Sequence, residues 1–222
     1  MTHTTRSLIK HPVLVVDDHP IVRRGLIDVI NEGVDLEVCG EAASVPEALR
    51  QIEATQPHVV IIDISLGGED GIELIDYIKS RWPTMRMLVS SAHDEKIFAG
   101  RVLRAGALGF ISKREPLPQV VEAVRKVLRG EIYLSPQMAT SLLQRAAGGE
   151  SLDEDPVQTL SNRELQVFEM IGEGLNTREI ANRLGISPKT VESHRKVIKT
   201  KLNISTSAQL NRRAFQWVQK SR

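Results

Sequence analysis

Val13-Leu14-Val15-Val16-Asp17-Asp18 and Val59-Val60-Ile61-Ile62-Asp63 are two short apolar runs, each stopped by aspartate. Met87-Leu88-Val89-Ser90, followed by Ser91, and Gly109-Phe110-Ile111-Ser112, followed by Lys113, repeat the pattern with a hydroxyl and an ammonium at the end. Runs of this length without polar alternation suit strands buried on both faces of a parallel sheet. Between them lie amphipathic stretches of helical length at roughly 20–31, 45–55, 71–81, 94–105 and 116–129. In the last, Leu117, Val120, Val121, Val124, Val127 and Leu128 share one stripe. With a further strand near Leu36–Glu41, strand is followed by helix five times, the order of an α/β doubly wound sheet. Such sheets bind ligands beyond the carboxyl ends of their strands, where residues distant in sequence converge.

Asp17, Asp18, Asp63, Ser91 and Lys113 therefore read as one site. Two unit charges about 4 Å apart repel by about 4 kcal/mol at an effective dielectric near 20, so three carboxylates need a cation. A hard divalent ion such as Mg2+, which takes oxygen ligands, suits the aspartates, and Lys113 adds a fixed positive charge. Magnesium on a few carboxylates is also the usual arrangement for handling a phosphoryl group, for which Asp63 is the candidate nucleophile. Lys113 and the Ser91 hydroxyl would then neutralise and hydrogen-bond the oxygens of the transferred group. Taken singly, an Asp after a strand can be a turn former, Ser91 a loop hydroxyl and Lys113 a solvated charge.

Over residues 11–133 the chain resembles the receiver domain of two-component response regulators. The matching motifs are Val15-Val16-Asp17-Asp18-His19-Pro20, Ile61-Ile62-Asp63-Ile64-Ser65-Leu66, Ser91-Ala92 and Phe110-Ile111-Ser112-Lys113. The resemblance implies a flavodoxin-like sheet of order 2-1-3-4-5, with Asp63 accepting phosphate from a sensor histidine kinase. It implies Mg2+ held by Asp18 directly, by Asp17 mainly through water, by Asp63 and by the backbone carbonyl of Ser65. Ser91 would be the switch hydroxyl, Phe110 the aromatic that moves with it, and Lys113 the phosphate's ion-pair partner. Two departures are visible: Leu66-Gly67-Gly68 stands where many relatives have methionine then proline, and Arg114 rather than proline follows Lys113. The first predicts a more flexible loop after Asp63, because glycine is conformationally permissive.

A chain of 222 residues is long enough for two domains, and its charge is divided unevenly. Residues 1–158 hold 17 Lys/Arg against 23 Asp/Glu, and residues 159–222 hold 12 against 5, so the carboxyl-terminal part is basic. Gln144–Gln158, with Gly148-Gly149, the acids Asp153–Asp155 and Pro156, has linker composition, and 134–158 is expected to connect a receiver at 11–133 to a second domain at 159–222. A single cysteine, Cys39, permits no intrachain disulfide and falls in a strand, which predicts a structural thiol. No apolar run reaches membrane-spanning length, and Met1–Lys10 is polar and unlike a signal peptide, so a cytoplasmic protein without membrane contact is expected.

Leu160-Ser161-Asn162-Arg163-Glu164 is a capping box ahead of Leu165, Val167, Phe168 and Ile171, and Gly174 can end that helix. Asn176 with Glu179 repeats the box for a helix carrying Ile180, Ala181 and Leu184. Gly185-Ile186-Ser187 then leads to Pro188 at the start of a third helix. Two helices joined by a short glycine-containing turn are a helix-turn-helix signature, whose second member enters the major groove. At about 100° per residue, Val191, Ile198 and Leu202 face the core while Lys189, Ser193, Lys196 and Thr200 lie opposite, on a polar, cationic face free of bulky apolar groups. The expected DNA-contacting set is Lys189, Thr190, Glu192, Ser193, His194, Lys196, Lys199 and Thr200. His194 has no second ligand spaced for a metal, and Glu192 can accept from a cytosine amine or pair with a neighbouring lysine.

From Leu160 to Leu210 the segment is similar to the LuxR-type helix-turn-helix of the NarL/FixJ response regulators. The resemblance rests on the two capping boxes, Leu184-Gly185-Ile186-Ser187, Thr190-Val191-Glu192-Ser193-His194, Ile198 and Lys201-Leu202. Ser207 stands where the family usually has arginine. The last helix, Ala208–Val218 with Leu210, Ala214, Phe215 and Trp217, resembles the family's dimerisation helix, and intradomain packing is the simpler role for any one of those residues. The whole implies a DNA-binding transcription factor that is not an enzyme beyond accepting, and slowly losing, its own phosphoryl group. Phosphorylation would free a recognition helix obstructed by the receiver and favour a homodimer on a double-stranded operator with two half-sites, with RNA polymerase as a further partner. Two rivals come from other classes. A metal-dependent phosphohydrolase would place a second acid two positions after the nucleophile, where Ser65 stands here; a constitutive DNA-binding protein with a silent receiver would leave the acidic site without a use.

Overall fold

A computed structural model of the chain describes residues 10–67, 69–148 and 156–221. The start of the chain before Lys10, Gly68, and Gly149 with the acids Asp153–Asp155 lie outside them. Two compact units are present, Met1–Ser135 and Pro136–Arg222.

The first unit is a parallel sheet wound by helices. Strands β1 (His11–Val16), β2 (Leu36–Ala42) and β3 (Val59–Ile62) are followed by a two-residue antiparallel ribbon, β4 (Ser65–Leu66) with β5 (Glu69–Asp70), and then by β6 (Arg86–Ser91) and β7 (Gly109–Ser112). The five-stranded sheet has the order β2-β1-β3-β6-β7, which is 2-1-3-4-5 once the ribbon is set aside. Helices α1 (Pro20–Asn31), α2 (Val45–Thr55), α3 (Gly71–Arg81), α4 (Glu95–Ala105) and α5 (Leu117–Leu128) make the crossovers and fall within a residue of their expected bounds.

Alternation along the strands decides which helix covers which face. Val13, Val15, Val59, Ile61, Leu88 and Ile111 pack with Leu26 and Ile30 of α1 and with Val120, Ala123, Val124 and Val127 of α5. The opposite face carries Leu14, Val16, Val60, Ile62, Met87 and Val89, all buried as well. Both faces are dry, which is why the strands read as unbroken apolar runs. Leu117, expected on the core stripe of α5, is 43% exposed at its first turn. Cys39 donates its thiol to Thr55 Oγ1 at 3.4 Å, and burial pushes its pKa up, as for an unreactive structural thiol.

The second unit is helical. Its first helix, α6 (Pro136–Gly148), lies within the expected connector 134–158 and runs into the first residues of the stretch with linker composition. A 3₁₀ turn (Pro156–Thr159) precedes α7 (Asn162–Gly172), α8 (Thr177–Leu184), α9 (Pro188–Lys201) and α10 (Ser207–Ser221). Both capping boxes form, Ser161 with Glu164 and Asn176 with Glu179. Helix α10 crosses α7 at Gly172, where a Cβ would meet Ala214 O at 2.5 Å, and Trp217 packs on Phe168 with centroids 5.6 Å apart. Leu210, Ala214 and Trp217 are thus core residues of the unit, while Phe215 is 55% exposed. Among the described residues no helix is long and apolar enough to cross a membrane.

Candidate functional site

Asp17, Asp63 and Lys113 are each the first residue past a strand and Ser91 the last within one, and the sheet ladder extends just far enough to hold them. Asp17 N donates to Ala42 O (3.0 Å), Asp63 N to Val16 O (2.9 Å) and Lys113 N to Ser91 O (2.8 Å). The register of the sheet therefore sets the positions of the functional groups. Gly71 completes the frame: a Cβ there would lie 2.1 Å from Asp63 O, so only glycine lets the first turn of α3 pack against the acceptor loop.

Asp17, Asp63 and Lys113 converge as a closed triangle. Lys113 Nζ lies 2.6 Å from Asp17 Oδ2 and 2.7 Å from Asp63 Oδ2, with both carboxylates almost fully buried. Burial raises the pKa of Asp63; Lys113 pulls it back and Asp17 pushes it up further, leaving it above the ordinary aspartate range. Burial works against the Lys113 ammonium, but the two carboxylates outweigh it and hold its pKa above the usual lysine value.

Asp18 joins the cluster from the rim. Its Oδ2 accepts from Gly67 N at 2.9 Å, and His19 Nδ1 approaches its Oδ1 to 2.6 Å off hydrogen-bond alignment. Among the described residues, Asp17 Oδ2 faces only the Lys113 ammonium and Asp18 Oδ1 only the His19 ring, neither in good hydrogen-bond alignment, so both buried oxygens keep acceptor capacity. One ligand atom from each of Asp17, Asp18, His19 and Asp63 falls within 4.8 Å of the others. A small hard cation would use those oxygens, so the donor set fits Mg2+. His19, within the Asp17-Asp18-His19-Pro20 motif, is an addition to the residues expected from sequence; its backbone N–H also donates to Asp17 Oδ1 at 2.9 Å. Arg23, likewise unforeseen, donates to Asp17 O at 2.6 Å and to Glu41 Oε2 at 2.8 Å.

Ser91 is fully buried, and its Oγ accepts from His93 N at 3.1 Å. The His93 ring then bridges two elements, with Nε2 3.0 Å from Ser65 Oγ and its ring centroid 4.9 Å from that of Phe98. Phe110, on the strand beside Ser91, is 1% exposed. The Leu66-Gly67-Gly68 departure has a defined local role at Gly67: its φ is 55°, in the left-handed region that favours glycine, and from there its N–H reaches Asp18.

In the second unit, the turn between α8 and α9 has Gly185 at φ 63° as the left-handed cap of α8 and Ser187 capping α9 through Thr190 N at 3.0 Å. Val191 and Ile198 are buried, and Leu202 is half-buried. Lys189, Thr190, Glu192, Ser193, Lys196 and Thr200 are exposed, while His194 and Lys199 are half-buried. Val197, 41% exposed, borders this face and qualifies the expectation that it lacks apolar groups. Glu192 pairs with other groups than the expected lysine among the described residues: its Oε1 accepts from Thr177 Oγ1 at 2.6 Å and lies 3.8 Å from Arg195 Nε, while Arg195 reaches Asn211 Oδ1 at 3.2 Å. Burial, then Arg163, lowers the pKa of His194, which favours the neutral ring. Lys201 turns away from this face and donates to Glu164 Oε2 at 2.7 Å, linking α9 to α7.

Residues 13–125 match the response regulator receiver domain family, and residues 158–214 match the luxR family of bacterial regulatory proteins. The chain is 39% identical to the transcriptional activator protein ExaE of Pseudomonas putida over 198 residues, covering 89% of this chain and 92% of that protein. It resembles the structure of RcsB from Salmonella enterica serovar Typhimurium bound to promoter P1flhDC in the presence of phosphomimetic BeF3-, with TM-score 0.60 and 26% identity over 92% of this chain and 98% of that one. It also resembles the structure of two RcsB dimers bound to two parallel DNAs, with TM-score 0.56 and 26% identity over 91% and 97% of the respective chains.

Proposed function

The chain belongs to the NarL/FixJ-type two-component response regulators, DNA-binding transcription regulators with a receiver ahead of a LuxR-type helix-turn-helix, and from that premise we propose that Asp63 is its phosphoacceptor and that phosphorylation raises its affinity for DNA. The observation that carries this reading is the buried Asp17–Lys113–Asp63 triangle with the Asp18 carboxylate at its rim, ligand atoms of the three aspartates lying within 4.8 Å of one another.

In this reading an Asp63 oxygen attacks the phosphorus of a kinase phosphohistidine. The new O–P bond forms as the donor's N–P bond breaks, and the imidazole leaves with the bonding pair and takes up a proton from water. With acetyl phosphate the leaving group is acetate. Mg2+ held by Asp17, Asp18, Asp63 and the Ser65 carbonyl would supply positive charge to the phosphoryl oxygens. Lys113 remains beside Asp63 and neutralises the same oxygens. Ser91 gives up the His93 N–H that it accepts at rest and donates its hydroxyl to the phosphoryl group, and Phe110 follows. The protein turns over no external substrate, losing only its own phosphoryl group slowly to water.

The output is a homodimer with α9 in the major groove of each of two half-sites, supported by the exposed cationic face of α9 and by the RcsB dimers solved on DNA. The sensor histidine kinase and RNA polymerase are the protein partners, and the cytoplasm is where all of them meet. Incubation with acetyl phosphate and Mg2+ should add one phosphoryl group by intact mass, and none to Asp63→Asn. Undiminished labelling of that variant would overturn the assignment. Asp18→Ala should label more slowly at every donor concentration, since it removes a metal ligand and spares the nucleophile.

A further inference from the structure

The chain leaving α5 does not run directly into α6. Gly130, at φ 79°, turns it back, and the next residues lie along the free edge of β7. Tyr133 N donates to Leu108 O and Phe110 N donates to Tyr133 O, each at 2.9 Å, so that Tyr133 forms a one-residue parallel bridge with Gly109. Two residues further on, Ser135 N donates to Glu95 Oε1 at 2.9 Å, in the first turn of α4. Lys126 Nζ lies 5.4 Å from the Tyr133 ring centroid. The close approach depends on Gly109: a Cβ there would be 2.8 Å from Tyr133 O and 3.0 Å from Tyr133 Cβ.

Nothing in the phosphoacceptor chemistry uses these bonds. What they join is informative. One partner is the backbone amide of Phe110, the residue assigned to follow Ser91; the other is the start of α4, four residues after Ser91. A hydrogen bond of this kind spans only about half an ångström of donor–acceptor distance, roughly 2.7 to 3.2 Å, before it is lost. Movement of β7 or of the first turn of α4 must therefore carry Tyr133–Ser135 along or detach it, and either outcome changes the path by which the chain enters α6.

We propose that Tyr133–Ser135, docked on Leu108–Phe110 and Glu95, is the tether that couples the Ser91–Phe110 switch to the connector ahead of the helix-turn-helix, with Gly109 and Glu95 as its positioning residues. This rests on the phosphoacceptor reading above. Its test uses the full chain with Gly109→Ala, which drives a methyl against Tyr133, and separately Glu95→Ala, which removes only the acceptor of Ser135 N and leaves the sheet intact should the first variant fold poorly.

Three quantities are read for each protein: labelling of Asp63 by acetyl phosphate, exchange of individual backbone amides, and DNA affinity before and after labelling. Labelling should match wild type. Exchange should accelerate roughly five- to tenfold for each bond lost, at Tyr133 and Phe110 in Gly109→Ala and at Ser135 in Glu95→Ala. The gain in DNA affinity on phosphorylation should shrink by a similar factor. A full gain despite loosened amides would overturn the proposal, as would unchanged exchange in both variants. A wild-type protein that failed to label on Asp63, or labelled without gaining DNA affinity, would instead count against the phosphoacceptor reading.

Discussion

Replacing Lys113 with methionine removes the ammonium from a site that holds three carboxylates. The Lys113, Asp17 and Asp63 side chains are 13%, 1% and 4% exposed, and the ammonium is 2.6 Å and 2.7 Å from the two carboxylates. At an effective dielectric near 20 each contact supplies roughly 6 kcal/mol of attraction, part of which offsets the cost of desolvating the three groups. Without the ammonium, Asp17 and Asp63 lose their shared partner in a cluster of three carboxylates whose ligand atoms lie within 4.8 Å of one another. At that distance their repulsion is about 3.5 kcal/mol or more on the same basis. This agrees with the cost of about 3–5 kcal/mol for breaking a buried ion pair from one side. Methionine retains most of the apolar stem, so the loss is electrostatic. The expected result is a receiver less stable by about 3–5 kcal/mol in chelator at neutral pH, against roughly 5–15 kcal/mol for a whole domain. Urea unfolding followed by Trp82 fluorescence, in a Trp217→Phe background, isolates the first unit. Added Mg2+ should recover most of the difference, because an ion bound only to the native site stabilises it by mass action. Equal midpoints for Lys113→Met and its parent in chelator would refute the view that Lys113 neutralises both aspartates.

Ser91→Ala should accept phosphate, more slowly, yet show less phosphorylation-dependent dimerisation or DNA binding; a full gain in the labelled variant would mean that Ser91 is not the switch. Lys196→Ala should weaken operator binding by roughly 1–3 kcal/mol with relaxed preference at one position of each half-site if it reads a base, or reduce affinity on all sequences with a smaller salt slope if it touches phosphate. Titration on operator and random DNA at several salt concentrations distinguishes the two, with Val191→Lys as a control that should lose binding by unfolding the unit. Glu164 should make the second unit acid-sensitive. Burial opposes its charge, but Lys201 and the Ser161 backbone outweigh it and hold its pKa below the ordinary 4.5. Its contribution, on the order of 1 kcal/mol given the partly exposed lysine, is present above that value and lost as pH falls through the lower folded value. Lys201→Met should flatten the dependence in thermal melts from neutral pH into the acid range.

How far the fold can be read from sequence depended on length and pattern. Four of the five main strands, β1, β3, β6 and β7, are legible because both faces are buried, so Val59–Ile62 shows no polar break until Asp63, whereas the edge strand β2 carries exposed Glu37 and Glu41. Helix limits follow from chemistry at their ends, as with Pro20 opening α1 and Asp70 capping α3 through Ile72 N. The ribbon Ser65–Leu66 with Glu69–Asp70 is illegible, since two residues carry no period and the pairing depends on how Gly67 turns. Helix α6 is obscured for a different reason: Gly148-Gly149, the acids Asp153–Asp155 and Pro156 give the stretch a linker's composition, although the helix runs to Gly148.

The candidate site divides along the same line. Asp17, Asp63, Ser91 and Lys113 could be brought together from sequence because a parallel sheet aligns the carboxyl ends of its strands whatever the loops do. Contacts that originate in loops could not: His19 against Asp18, His93 against Ser65, and Tyr133 along β7 all depend on turns whose geometry no periodicity announces. Gly67 gives the sharpest contrast. Read as a departure from the family pattern, it predicts looseness after Asp63; in the structure its left-handed backbone directs an N–H to Asp18, and, two residues on, Glu69 Oε2 accepts from Val45 N at 2.7 Å. A residue chosen for conformational freedom can thus serve a fixed contact, because the one conformation that makes the contact is costly for other side chains.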